Sequence, residues 1–166
     1  MSWKWTLLDA GRFALDGGSM FGVVPKALWS KLVAPDSKNR IPEACNCVLL
    51  ERNGERVLIE TGFGSGWNEK EVDMFSMNGV TILDALKEHG TDPDSIGTVI
   101  LSHLHFDHAA GITFVPNAKV IVQKQEWEDA NNNRSTMSRT YLPQVLDSIR
   151  ERLVLVEGDE IGRAHV

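Results

Sequence analysis

Thr98-Val99-Ile100-Leu101 is a run of strong strand formers that passes without a break into Ser102-His103-Leu104-His105-Phe106-Asp107-His108-Ala109-Ala110-Gly111. A run this short and this apolar predicts a strand inside a sheet. Where such a strand ends abruptly in polar residues, it projects them from the sheet's rigid edge. His103, His105 and His108, three of the five histidines of the chain, lie within six residues there, together with Asp107. The fold therefore has to supply a sheet that is buried around residue 100 and open just beyond it.

The remaining sequence can supply such a sheet. Cys45 to Glu51 and Arg56 to Glu60 are apolar runs flanking Asn53-Gly54, the strongest short signal for a hairpin. Thr6 to Leu15 predicts one or two strands broken at Gly11, and Lys119 to Gln123 and Leu153 to Val156 predict two more. Thr81 to His89 reads as a helix, with Ile82, Leu83, Ala85 and Leu86 on one face and Gly90 as its stop. Gln125 to Ala130 predicts a short helix. Leu142, Val145, Leu146, Ile149 and Leu153 recur at helical spacing, with Pro143 tolerated in a first turn. Asp16 to Pro42, rich in Gly and Pro yet carrying Met20, Phe21, Leu28 and Trp29, predicts a long packed loop with one helical turn around Lys26 to Val33. Thr61 to Gly66 is a glycine-rich loop that could cradle an anion but lacks the Lys-Ser/Thr ending of a nucleotide P-loop. Strands first, then strands alternating with helices, indicate a layered α/β architecture with helices on one face of the sheet. No segment of the chain is an evident cover for the other face.

Length and charge narrow the class further. At 166 residues the chain fits one domain, residues 1–166, with a sizeable core; it is 42% hydrophobic and 24% charged. A net charge of -6 argues against nucleic acid as a partner. No apolar stretch approaches the about 20 residues a membrane span needs, and Met1-Ser2-Trp3-Lys4-Trp5 lacks the form of a secretory signal, so a cytoplasmic location away from membranes is expected. Cys45 and Cys47 sit two apart and share one face of a strand, which suits two small buried residues better than a disulfide or a zinc pair.

Imidazole and carboxylate are good ligands for zinc and its first-row neighbours. On extended backbone His103 and His105 point the same way and suit one ion, while Asp107 and His108, past the bend, suit a second close by. Phe106 faces away and anchors the loop, and Ala109-Ala110-Gly111 leave room for the backbone to turn. A solvated loop or a satisfied core histidine would explain a single imidazole; three with an aspartate after an apolar strand point to metal. His89, at the end of a helix, suits the helix dipole and is assigned no function, and His165 reads as a strand residue.

This pattern resembles the metallo-β-lactamase superfamily, and within it the N-acyl-homoserine lactonase-like branch. Besides residues 102–111, Val120-Ile121-Val122-Gln123-Lys124-Gln125-Glu126-Trp127 is similar to that branch's next strand-helix unit. Val156-Glu157-Gly158-Asp159-Glu160 is similar to the turn before its next ligand segment, so the resemblance runs from about Cys45 to the end. It implies a four-layer αββα sandwich of which this chain supplies the N-terminal αβ half. It also implies two zinc ions, with iron, manganese or cobalt as alternatives. His103 and His105 would hold the first ion and Asp107 and His108 the second. The family's later Gly-His-x-x-Gly-His segment, bridging Asp and last His have no counterpart here, so a fragment, or a chain completed by a second one, is expected. Glu60 in Leu58-Ile59-Glu60-Thr61-Gly62 stands where the family carries Asp, one methylene shorter.

The reaction so implied is hydrolysis of a small-molecule lactone or ester by a hydroxide held between the two ions, with Asp107 also moving a proton. A thioesterase of the glyoxalase II type, a β-lactamase or a phosphodiesterase are the rivals within the superfamily. A diiron redox domain usually carries Glu where this chain has His105, and an inactive half that binds metal incompletely is the rival outside enzymology. Substrate contacts are expected from the loops Asp16 to Pro42 and Thr61 to Gly79, through Met20, Phe21, Trp29, Phe63, Trp67 and Phe75.

Overall fold

The computed structural model describes residues 2–132 and 140–158; His165 and the segment expected after Gly158 lie outside the described residues. Six strands form one mixed sheet in sequence order: β1 (Lys4–Asp16), β2 (Arg40–Arg52), β3 (Glu55–Ile59), β4 (Thr98–Ile100), β5 (Lys119–Gln123) and β6 (Leu153–Val156). The first three are antiparallel neighbours, and β3 through β6 run parallel. The helices are α1 (Gly17–Phe21), α2 (Lys26–Trp29), α3 (Glu69–Phe75), α4 (Ile82–His89), α5 (Phe106–Ala109), α6 (Lys124–Asn132) and α7 (Pro143–Ile149).

The expected hairpin joins β2 to β3, and its two turn residues, Asn53 and Gly54, both take positive φ (51° and 83°), as a two-residue turn matched to strand twist requires. The N-terminal strand is continuous rather than split at Gly11. The register shifts between Asp9 and Arg12, Gly11 sits at φ 119°, and the Asp9 carboxylate accepts its N–H. The break legible in the sequence is therefore a bulge. The long loop shrinks in the same way: α1 and α2 occupy it, and β2 already begins at Arg40, before Pro42. The helix α3 was not expected. Its start is fixed by a capping box in which Asn68 accepts the Glu71 N–H and Glu71 accepts the Asn68 N–H. The helical spacing that runs to Leu153 ends early, with α7 stopping at Ile149, a 3-10 turn at Arg150–Arg152, and Leu153 opening a strand.

The two faces of the sheet differ. On the packed face, Leu49, Leu58, Val99 and Val120 are wholly buried, covered by Ile82, Ala85 and Leu86 of α4 and Val145, Leu146 and Ile149 of α7. Cys45 and Cys47 lie on this face as buried free thiols. On the open face, Leu7, Val48, Ile59, Ile100, Ile121 and Val154 pair in one register row that crosses all six strands. Leu7 is 56% exposed and Val154 40%, and the four between them are half-buried. No described residue covers that row with a second layer. Among the described residues no helix is long and apolar enough to cross a membrane.

Candidate metal centre

The polar cluster forms where β4 ends, and the residues beyond it are held by backbone contacts of unusual closeness. His105 is the N-cap of α5, and the carbonyl of His108 accepts both the N–H and the hydroxyl of Thr61, each at 2.8 Å. The Gly111 N–H donates to the Gly62 carbonyl. A side chain at Gly111 would stand 2.0 Å from the Thr61 carbonyl oxygen, and one at Gly64 would stand 2.5 Å from that of Ala110. The glycines of this loop let residues 61–64 lie backbone-to-backbone against residues 108–111.

This bracing gathers the expected side chains. The ring centroids of His103 and His105 are 4.5 Å apart and those of His103 and His108 4.0 Å. His108 Nε2 lies 3.3 Å from Asp107 Oδ2, and His108 Nδ1 lies 3.1 Å from Glu60 Oε2. Glu60 reaches both partners from a left-handed backbone (φ 63°), its other oxygen accepting the Ser102 N–H at 3.0 Å. Ser102 Oγ is 3.0 Å from His103 Nδ1. Phe106 points into the core, 4% exposed, against Phe13, Trp67 and Phe75. His89 is elsewhere, with Nδ1 2.8 Å from the Thr91 hydroxyl.

Burial pushes the His103 pKa down to about 4, helped by its two imidazole neighbours, and burial also lowers that of His105. Both rings are neutral, with lone pairs to offer. Burial acts in the same sense on His108, but its contacts with Asp107 and Glu60 prevail and push it up to about 10. The Asp107 carboxyl is held below its ordinary value, because the contact with His108 outweighs the burial that opposes ionisation. Two carboxylates and two neutral imidazoles around one ring make a place that favours positive charge.

The donor set suits a small divalent cation. Two ligands on one tetrahedral zinc, each about 2.1 Å from it, lie about 3.4 Å from each other. His108 Nε2 and Asp107 Oδ2, 3.3 Å apart, are close to that separation. A metal-binding imidazole also usually gives its second nitrogen to a carboxylate, as His108 does to Glu60. Even so, among the described residues no group of three or more His, Cys, Asp or Glu side chains forms a finished cage for one ion.

A cleft of about 840 Å³ opens over His103, His105, Asp107 and His108, with Met20, Met74, Phe75 and Phe106 on its apolar side. Of the aromatics expected there, Phe75 lines the cleft. Phe63 and Trp29 are buried in packing, Phe21 stacks on Trp29, and Trp67 packs against Phe75 and Phe106. The rim is latched by Lys38, bonded to both Asp73 oxygens, and by Arg40, which caps the end of α3 through the Asp73 and Met74 carbonyls.

The family model of the metallo-β-lactamase superfamily matches residues 40–164. The chain belongs to that superfamily. The N-acyl homoserine lactonase of Bacillus thuringiensis is 28% identical over 167 residues, covering 94% of this chain and 60% of that protein. A lactonase of a Bacillus species is 30% identical over 124 residues, covering 68% of this chain and 47% of its own length. Among solved structures, a probable metal-dependent hydrolase from Staphylococcus aureus superposes with a TM-score of 0.85 at 31% identity, covering 93% of this chain and 59% of that one. An N-acyl homoserine lactone hydrolase with N-hexanoyl-L-homoserine at its catalytic metal centre gives 0.63 at 28% identity, covering 95% and 61%. The chain thus spans between 47% and 61% of the length of these relatives, and its mixed sheet is the αβ half of their fold that the sequence implied.

Two residues of this neighbourhood escaped the sequence. Glu126, on α6, accepts the Leu104 N–H at 2.8 Å, and Tyr141 pairs with His105 across an isolated bridge, their rings 5.0 Å apart. Neither lies in the histidine motif, and only the placement of Glu126 in a stretch similar to the family's next unit was a signal.

Proposed function

We propose that this chain carries part of a metal-dependent hydrolase site that opens a lactone or ester. The observation that carries the reading is the convergence of His103, His105, His108 and Asp107 at the end of β4, under a cleft with an apolar side. His103 and His105 would hold one ion, and Asp107 with His108 the other, zinc being the best match to the donors. Divalent cations bound there would polarise the substrate carbonyl and lower the pKa of water to about 7.

The chain's own residues do the rest. Glu60 fixes the ring of His108, so that Nε2 and Oδ2 of Asp107 face one point. Asp107, ionised, can accept a proton at that carboxylate and pass it to the alkoxide oxygen released when the acyl C–O bond breaks. The apolar side of the cleft suits an acyl chain. The lactonase names of the relatives support the lactone over a thioester, a β-lactam or a phosphodiester.

The open sheet face supports a second part of the proposal: further polypeptide, continuous with this chain or separate, covers it and brings the remaining ligands. Assays of the zinc-loaded chain together with the polypeptide that covers this face, against an N-acyl homoserine lactone, an acyl thioester and a phosphodiester, test the substrate class. Lactone turnover at least tenfold above the others is expected, and turnover of the phosphodiester alone would overturn it.

A further inference from the structure

We propose that Glu126 and Tyr141 form a bracket that positions the His103–His105 pair, a role that rests on the metal-ligand reading above. Leu104 lies between the two imidazoles, its side chain 1% exposed, so the plane of its peptide sets the angle at which they diverge. Glu126 Oε1 fixes that plane by accepting the Leu104 N–H at 2.8 Å. On the other side of His105, the backbone of Tyr141 bridges to it and the Tyr141 ring meets the imidazole edge-to-face at 5.0 Å. Glu126 and Tyr141 therefore restrain His105 from two sides: the half-buried carboxylate through the preceding peptide, and the ring packed on the imidazole. Glu126 touches neither substrate nor metal in this arrangement; it is a positioning residue. Its requirement is reach, because only a side chain of that length spans from α6 to the Leu104 amide.

Two substitutions separate reach from charge. Glu126→Asp keeps the charge and loses the reach, whereas Glu126→Gln keeps the reach and an acceptor oxygen. In Co2+ titrations followed by visible absorption, Glu126→Asp should lose roughly tenfold in affinity and shift the d–d bands, while Glu126→Gln stays within about threefold of the parent with the parent's spectrum. Tyr141→Ala, which removes the ring from His105, should lose about two- to threefold. If Glu126→Gln falls as far as Glu126→Asp, or if neither moves, the bracket is overturned. Should the unsubstituted protein take up no Co2+, the ligand reading fails by itself. Hydrogen exchange of the Leu104 amide in the unloaded protein then decides the bracket: faster only in Glu126→Asp supports it, and equal rates in all three proteins overturn it.

Discussion

Leu58 and Ile59 are neighbours on β3 with opposite fates. Leu58 is fully buried against α4 and α7, whereas Ile59 lies half-buried in the apolar row that runs from Leu7 to Val154. One strand thus carries a finished layer on one side and an unfinished one on the other, and at its end Glu60 turns into the polar cluster. Stability in the described residues is concentrated on the packed face. The polar cluster sits at the rim where both faces end, and no described residue covers the open face with a second layer.

The largest expected effect tests that division directly. In the 166-residue chain, Leu58→Ala should cost about 3 kcal/mol in urea unfolding, through lost burial and a cavity, while Ile59→Ala costs under about 1 kcal/mol. Equal costs would mean that the open face is covered. In a longer form of the protein that covers it, the Ile59→Ala cost should rise towards that of Leu58→Ala.

A smaller effect separates the strand's tip from its middle. Glu60→Ala should weaken metal binding by roughly tenfold, because His108 loses the carboxylate that orients it. It should unfold at nearly the parent's urea midpoint. A large loss of stability with unchanged metal affinity would make Glu60 a purely structural residue.

The smallest effects concern the thiols. Cys45 and Cys47 face the packed side, and burial pushes the Cys45 pKa up from 9.0 to about 12 and that of Cys47 up as well. The folded state then holds protons that the unfolded chain releases. Their contribution to stability is complete below about pH 9 and is lost as the pH rises towards 12. Neither thiol should react with a disulfide reagent at pH 8 until urea unfolds the chain, and rapid labelling of the folded protein would place them on the open side.

How far the sequence foretold this division depends on the range of the forces involved. Asn53-Gly54 and Gly90 act locally, through φ values that few other residues adopt, and both were legible. The cluster at residues 103–108 was legible because its donors are adjacent in the chain and leave a strand together. The bulge at Gly11 was not, since a chain break and a register shift look alike until the partner strand is seen. The capping box at Asn68 and Glu71 was a local signal left unused, masked by the glycines before it. The bonds from Glu126 to Leu104 and from Glu60 to His108 span 22 and 48 residues, and spacing alone carries no sign of either.

Metal content after zinc loading and exhaustive dialysis, read by elemental analysis on the protein and on its His103→Ala/His105→Ala double variant, tests the central claim most directly. Zinc retained by the parent and largely lost from a double variant that still folds, as circular dichroism would show, is the predicted result. The same zinc content in both proteins would contradict it.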